Sequence, residues 1–226
     1  ESLAADRGRL VELLQPGLRR PLAIGVVLAV LQQVTGINVV LYYAPEIFKR
    51  TGLAASQAIN DTVLVGVVNL IFTIVAIWVV DRLGRKPLLV VASLGMGCSL
   101  ALLGAAFRTR SFEGPWVLVL VLAYVASFAL AMGPVVWVVL SEIFPTRLRG
   151  RAMSVATLCL WAACYLVSQT FPVLLERVGG AVFFLYTAMC AVALFFVLFV
   201  VPETKGRTLE EIERSFRPAR KESVHG

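Results

Sequence analysis

The chain is 226 residues long, 59% hydrophobic and only 15% charged, with a mean hydropathy of +0.85. Soluble domains run near a quarter charged, so an ordinary soluble fold is excluded and an integral membrane protein is expected. The net charge of +7 comes from basic residues dispersed beside apolar segments rather than gathered on one face, which argues against nucleic acid as a partner.

Residues 1–20 read as a charged cytosolic linker. Leu10, Leu13, Leu14 and Leu18 recur at helical spacing with Arg and Glu between them, the pattern of an amphipathic helix on the cytosolic surface, and Gly17, the Arg19-Arg20 pair and Pro21 mark its end. The chain opens at Glu1 without an initiator Met or signal peptide, as expected for a fragment or processed form of something longer.

Six uninterrupted apolar stretches follow, each near the 17 to 25 residues needed to cross a bilayer: Leu22 to Ala44, Thr62 to Val80, Leu88 to Phe107, Trp116 to Leu140, Ala152 to Leu175 and Ala181 to Val201. None contains Asp, Glu, Lys, Arg or His. The fold class is therefore an all-α membrane protein with six transmembrane helices over residues 21–202. Beyond them, residues 203–226 form a cytosolic tail. Pro202 stops the last span, Gly206 turns the chain, and Thr208 with Glu211 makes a capping box opening a short helix from Leu209 to Phe216. The last ten residues read as disordered.

Sixteen of the 21 basic residues lie in the N-terminal arm, the loops after the second and fourth spans, and the tail. By the positive-inside tendency these segments, and so both termini, face the cytosol of a multi-pass cell-membrane protein. An even number of spans requires the same. Cys98, Cys159, Cys164 and Cys190 fall inside spans with no paired spacing and the lone histidine, His225, is in the tail, so neither metal nor disulfide chemistry is expected.

The first span carries Gln32, Gln33, Thr35, Gly36 and Asn38. A bare amide in hydrocarbon leaves several donors and acceptors unpaired, at about 4–8 kcal/mol each by the least forgiving transfer reference. At 100° per residue a straight helix cannot aim all three amides at one point, so Gly36 is where it must unwind or kink, as discontinuous helices do in many transporters. The alternative is that the amides simply bind helices to one another. Asn69 lies at similar depth in the second span, Tyr42 one turn beyond Asn38, and Trp137 beyond the Gly133-Pro134 break of the fourth. This set of amides and aromatics without charge suits an uncharged substrate rich in hydroxyls, whose apolar faces an aromatic ring can cover. An ionic substrate calls for an Arg, Lys or carboxylate inside the spans.

Four ordered motifs then carry a resemblance. Gln32-Gln33-Val34-Thr35-Gly36-Ile37-Asn38 with Tyr42-Tyr43-Ala44-Pro45, Asp81-Arg82-Leu83-Gly84-Arg85-Lys86-Pro87, Gly133-Pro134-Val135-Val136-Trp137 leading to Ser141-Glu142-Ile143-Phe144-Pro145 and Arg149-Gly150-Arg151, and Pro202-Glu203-Thr204-Lys205-Gly206 together resemble the sugar porter family of the major facilitator superfamily, of bacterial type. The resemblance covers that family's C-terminal half, spans seven to twelve of a twelve-helix fold. It implies a monosaccharide, hexose or pentose, contacted by Gln32, Gln33, Asn38, Asn69 and Trp137. It implies an extracellular gate at Tyr42 and Tyr43, and a cytosolic gate of salt bridges among Asp81, Arg82, Arg85, Glu142, Arg149 and Glu203. The implied partners are the bilayer and an N-terminal six-helix half, with no cofactor.

Independently of the family, Glu142 and Arg149 flank Pro145 at a span end and are expected to pair across the loop. Three positions depart from the family pattern: amides common in sugar porters are replaced by Leu160 and Cys164, and a glutamate usual in animal facilitators by Ala129. A transporter of another neutral polyol, or a sugar sensor on the same fold, stays open beside the sugar transporter. No span brings a nucleophile, base and orienting group together, so an enzyme is not expected. With no carboxylate in these spans, any proton coupling belongs to the other half.

Overall fold

The computed structural model describes residues 10–15, 17–110, 115–207 and 211. The expected Thr208 capping box, the helix to Phe216 and the disordered tail with His225 lie, Glu211 apart, outside the described residues. Among the described residues the regular structure is helical: α1 Arg19–Val34, α2 Ile37–Lys49, α3 Ala55–Leu83, α4 Arg85–Thr109, α5 Trp116–Ser127, α6 Gly133–Ile143, α7 Arg149–Val178 and α8 Val182–Phe199.

Two crossings are built from broken helices. The run Arg19–Lys49 is apolar enough to span, yet Gly36 between α1 and α2 sits at φ +95°, a left-handed conformation that interrupts the ladder where the sequence requires a break. In the fourth span α5 and α6 join through a π-helical turn, Phe128–Met132, where the Gly133 N–H reaches back five residues to the Phe128 carbonyl. Pro134 has no N–H to continue a normal ladder, so the distortion falls one turn before the Gly133-Pro134 pair rather than on it.

Five helical runs are long and apolar enough to cross a membrane, and the last, Arg149–Phe199, has 51 residues. At 1.5 Å per residue that is about 76 Å, more than twice the ~30 Å hydrocarbon core. It divides at the 3-10 turn Gly179–Ala181 into α7 and α8, which restores six crossings. Contact order gives their directions. Ascending pairs Glu12–Arg147, Asn38–Cys164 and Tyr43–Ser168 run the first span parallel to α7. The pairs Gly25–Leu140, Gln32–Met132 and Thr35–Tyr124 run it antiparallel to the fourth span. Gly104–Phe184, Gly97–Cys190 and Gly84–Glu203 set α4 antiparallel to α8. The arm, the α3–α4 turn, the α6–α7 loop and the segment after α8 therefore gather at one end of the bundle.

The core is packed around Leu28, Met96, Tyr124, Val136, Phe171 and Val197, all buried. Helices approach through small residues, as lipid-facing bundles must when apolar contact alone does not separate core from solvent. A Cβ on Gly25 would meet the Leu140 Cδ2 at 2.8 Å. The helix α3 is the exception: it buries only Ala58, Val65 and Ala76 and leaves Leu70, Ile74 and Trp78 exposed.

The arm departs from expectation. Its described part is a single 3-10 turn, Leu10–Leu14, not an amphipathic α-helix. Leu13 is buried in the core while Leu14 is exposed, and Glu12 is paired to Arg147. Tertiary anchoring of one leucine and one carboxylate has replaced the helical face.

Candidate functional site

The break at Thr35-Gly36 lets the three amides of the first span converge. Gln32, at the end of α1, donates both hydrogens of its Nε2 to the fourth span where the π turn meets α6, to the Met132 carbonyl at 2.8 Å and the Gly133 carbonyl at 3.0 Å. That geometry fixes Gln32 with its Oε1 turned inward, where it accepts a long bond of 3.5 Å from the Gln33 Nε2. Gln33 in turn accepts from the Asn38 Nδ2 at 2.6 Å, and the same Nδ2 donates to the Cys164 Sγ at 3.1 Å. The amides thus run head to tail, all polarised one way, and among the described residues the Asn38 Oδ1 is left as an uncommitted acceptor and one Gln33 N–H as an uncommitted donor. Gln32 fills the helix-bridging role raised as the alternative, and Gln33 and Asn38 keep hydrogen-bonding capacity to offer.

A cavity of about 410 Å³ opens on this relay. Gln32, Gln33, Asn38, Asn69, Trp137 and Leu160 all line it, so every residue expected to contact substrate reaches one space. The volume lies within the roughly 300–1,000 Å³ of small-molecule sites. Among the described residues no charged side chain lines it. Asn69 is half-buried, with its carbonyl accepting the Thr73 hydroxyl at 2.7 Å. Sequence reasoning missed Thr73, Phe128 and Trp161, which also line the cavity. Thr73 stands one turn from Asn69 on the same helix face, a signal available from spacing; Phe128 and Trp161 looked like any other aromatic in an apolar span.

The tyrosine pair divides. Tyr43 packs its ring on Phe171, centroids 5.2 Å apart, and donates its hydroxyl to the Ser168 carbonyl at 3.1 Å, while Tyr42 is 57% exposed beside it. Tyr43 is anchored to α7, and Tyr42, in hydrogen-bond contact with Cys164 of the same helix, leaves most of its surface uncovered.

At the gathered end a charged cluster ties four segments. Arg85 holds Glu142 through its Nη2 at 2.8 Å and its Nε at 3.2 Å, and reaches the mostly exposed Asp81 at 3.3 Å. The Thr204 hydroxyl donates to the other oxygen of Glu142 at 2.6 Å. Glu203 accepts the N–H groups of Arg85 at 3.2 Å, Lys86 at 3.0 Å and Lys205 at 2.9 Å, so it caps the start of α4, a helix whose own N-cap is Gly84. Burial works to raise the Glu203 pKa, and the backbone N–H bonds from Lys205, Lys86, Arg85 and Thr204 outweigh it and hold the carboxyl below its ordinary range. Lys205 donates from Nζ to the Arg82 carbonyl at 2.7 Å, closing the end of α3, and the Arg82 side chain is exposed.

The expected Glu142–Arg149 pair does not form. Both oxygens of Glu142 are taken by Arg85 and Thr204, and the buried Nε of Arg149 has no hydrogen-bond partner among the described residues. Arg149 instead faces the same cleft of about 290 Å³ as Glu142 and Arg207.

A family model described as "Sugar (and other) transporter" matches residues 4–216. The D-xylose-proton symporter of Escherichia coli (strain K12) is 46% identical over 209 residues, covering 89% of this chain and 42% of that protein. The glucose facilitated diffusion protein of Zymomonas mobilis is 44% identical over 200 residues, covering 85% and 42%. Among solved structures, a double tryptophan mutant of XylE matches with a TM-score of 0.83 at 44% identity, covering 96% of this chain and 46% of that one. The inward-open xylose transporter XylE from E. coli matches at 0.78 and 45%, covering 87% and 42%. The chain spans about half the length of the curated relatives it matches. With a family model over nearly its whole length and relatives well above 30% identity, this six-span chain belongs to the sugar transporter family of the major facilitator superfamily.

Proposed function

We propose that this chain is the C-terminal six-helix half of a twelve-helix monosaccharide transporter, carrying a hexose or pentose by rocking of two halves around a central site. The observation that carries the reading is the convergence of Gln32, Gln33, Asn38, Asn69 and Trp137 on one uncharged cavity beside a broken helix. Hydroxyls both donate and accept, and the relay offers one free acceptor and one free donor in a fixed arrangement. Trp137 supplies an aromatic face for the C–H side of a sugar ring. In this reading residues 1–20 are the linker from the other half, 21–202 the transmembrane half-domain and 203–226 the cytosolic tail.

The basic, gathered end faces the cytosol, so both ends of this segment are cytosolic in a cell membrane. Its cluster of Asp81, Arg82, Arg85, Glu142, Arg149 and Glu203 serves as the cytosolic gate, and Arg149, whose buried Nε has no partner among the described residues, meets a carboxylate of the other half. Tyr42 and Tyr43 form the outer gate. The spans hold no carboxylate, so if the protein is a symporter its coupling acid lies in the other half.

Uptake of labelled pentoses and hexoses into vesicles containing the twelve-helix protein tests the reading. Saturable uptake of a monosaccharide that competes with unlabelled sugar is expected; uptake confined to non-sugar solutes would reject it. Proton-driven accumulation that survives substitution of every intramembrane acid in the other half would reject the placement of coupling.

A further inference from the structure

The break between α1 and α2 frees a carbonyl that the cavity does not use. The Val40 N–H goes to the Gly36 carbonyl at 3.1 Å, and among the described residues no backbone N–H reaches the carbonyl of Thr35. The Tyr124 hydroxyl, from α5, does: it donates to the Thr35 carbonyl at 3.0 Å from a side chain only 1% exposed. On the other side of the break Tyr186, from α8, lies so close that a Cβ on Gly36 would sit 3.0 Å from its ring. Thr35 also turns its own hydroxyl back onto the Gln32 carbonyl at 2.9 Å. The break is thus a clamped joint, gripped by a hydrogen bond from α5 and a ring from α8.

We infer that Tyr124 is a positioning residue for the sugar site: its hydroxyl fixes the joint at Thr35-Gly36 and so sets the angle at which α2 presents Asn38 to Gln33. The inference rests on the transport reading above for its sugar readout. Tyr124 stands in the last turn of α5, separated from Gly133 by the π turn, and lines no part of the cavity. It acts through the backbone alone. Without the hydroxyl the Thr35 carbonyl is a buried orphan, and the cheapest repair is rotation of the joint, which moves Asn38 away from the 2.6 Å contact that aligns the relay. The ring stays in the core, so general packing is kept. A purely structural hydroxyl would lower stability without singling out the first turn of α2.

The test uses the twelve-helix protein in micelles with Tyr124→Phe. Backbone hydrogen exchange over residues 37–41 is expected to speed by about tenfold, the size of one buried hydrogen bond, with exchange in α4 and α8 unchanged. The dissociation constant for the sugar should rise about five- to twentyfold, with maximal uptake at saturating sugar changed far less. Placing 3,5-difluorotyrosine at position 124, a stronger donor of the same shape, should slow exchange over the same residues, and it covers the case in which the Phe variant does not accumulate. Unchanged exchange at residues 37–41, or faster exchange spread evenly over every helix, overturns the positioning role. A wild-type protein that binds no monosaccharide would sink the transport reading, while the exchange result still decides the role of the Tyr124 hydroxyl.

Discussion

The Asn38 amide donates to the Gln33 Oε1 at 2.6 Å although the two residues stand on separate helices, one ending at Val34 and the other starting at Ile37. The short bond exists because Gly36 turns the chain through a left-handed conformation, and it makes Gln33 the middle link between Gln32 and Asn38.

Gln33→Leu should therefore weaken sugar binding by roughly 1 to 3 kcal/mol, the penalty of unsatisfied buried polar partners. Membrane insertion should be intact because the span becomes more apolar. Calorimetric titration of the twelve-helix variant checks it. Unchanged affinity would reduce Gln33 to the helix-binding role that Gln32 already plays.

Leu160 lines the cavity where the family resemblance implies an amide, and it is buried. A sugar hydroxyl facing it finds no partner, and a site that does not hydrogen-bond a hydroxyl discriminates weakly, about a hundredfold or less, against analogues altered there. Leu160→Gln should raise affinity for the fully hydroxylated sugar more than for the matching deoxy analogue. Affinities across a deoxy-sugar series measure this; an equal shift for every analogue contradicts it.

Gly36→Ala puts a Cβ at φ +95°, which costs about 1–2 kcal/mol for an L residue, and drives it to 3.0 Å from the Tyr186 ring. A clear drop in the thermal midpoint is expected. Gly66→Ala in α3 is the control, since a Cβ there meets nothing within 4 Å. Equal midpoints for the two variants would mean the joint tolerates a side chain.

Glu203 gives a pH dependence with a defined sign. Its carboxyl is held below the ordinary range in the folded state, so the stability it contributes is fully present above the unfolded glutamate value, about 4.3, and is lost as pH falls through the lower folded value. Glu203→Ala should cost about 1 kcal/mol at pH 7 through loss of the α4 cap, and the gap from wild type should close under acid. Thermal midpoints of both proteins from pH 7 down to pH 3 provide the measurement. A gap that is constant with pH would show that the charge is irrelevant to the cap.

Hydropathy along the chain determined the membrane class and the crossings, because span length and absence of charge are local properties of each segment. The break at Gly36 was equally legible: three amides within seven residues cannot converge on a straight helix. Their meeting place with Asn69 and Trp137 followed from depth and from the family motifs. Tertiary structure alone decided who pairs with whom. Glu142 chose Arg85 and Thr204 over its loop neighbour Arg149 because the α3–α4 turn and the segment after α8 lie against the end of α6. Glu203 became the cap of a helix more than a hundred residues earlier for the same reason. Gln32 turned both its hydrogens to the fourth span and Leu13 was drawn into the core, neither of which spacing along the chain encodes. The buried face of each span was likewise hidden, since lipid and protein core are equally apolar and leave no polar stripe to read.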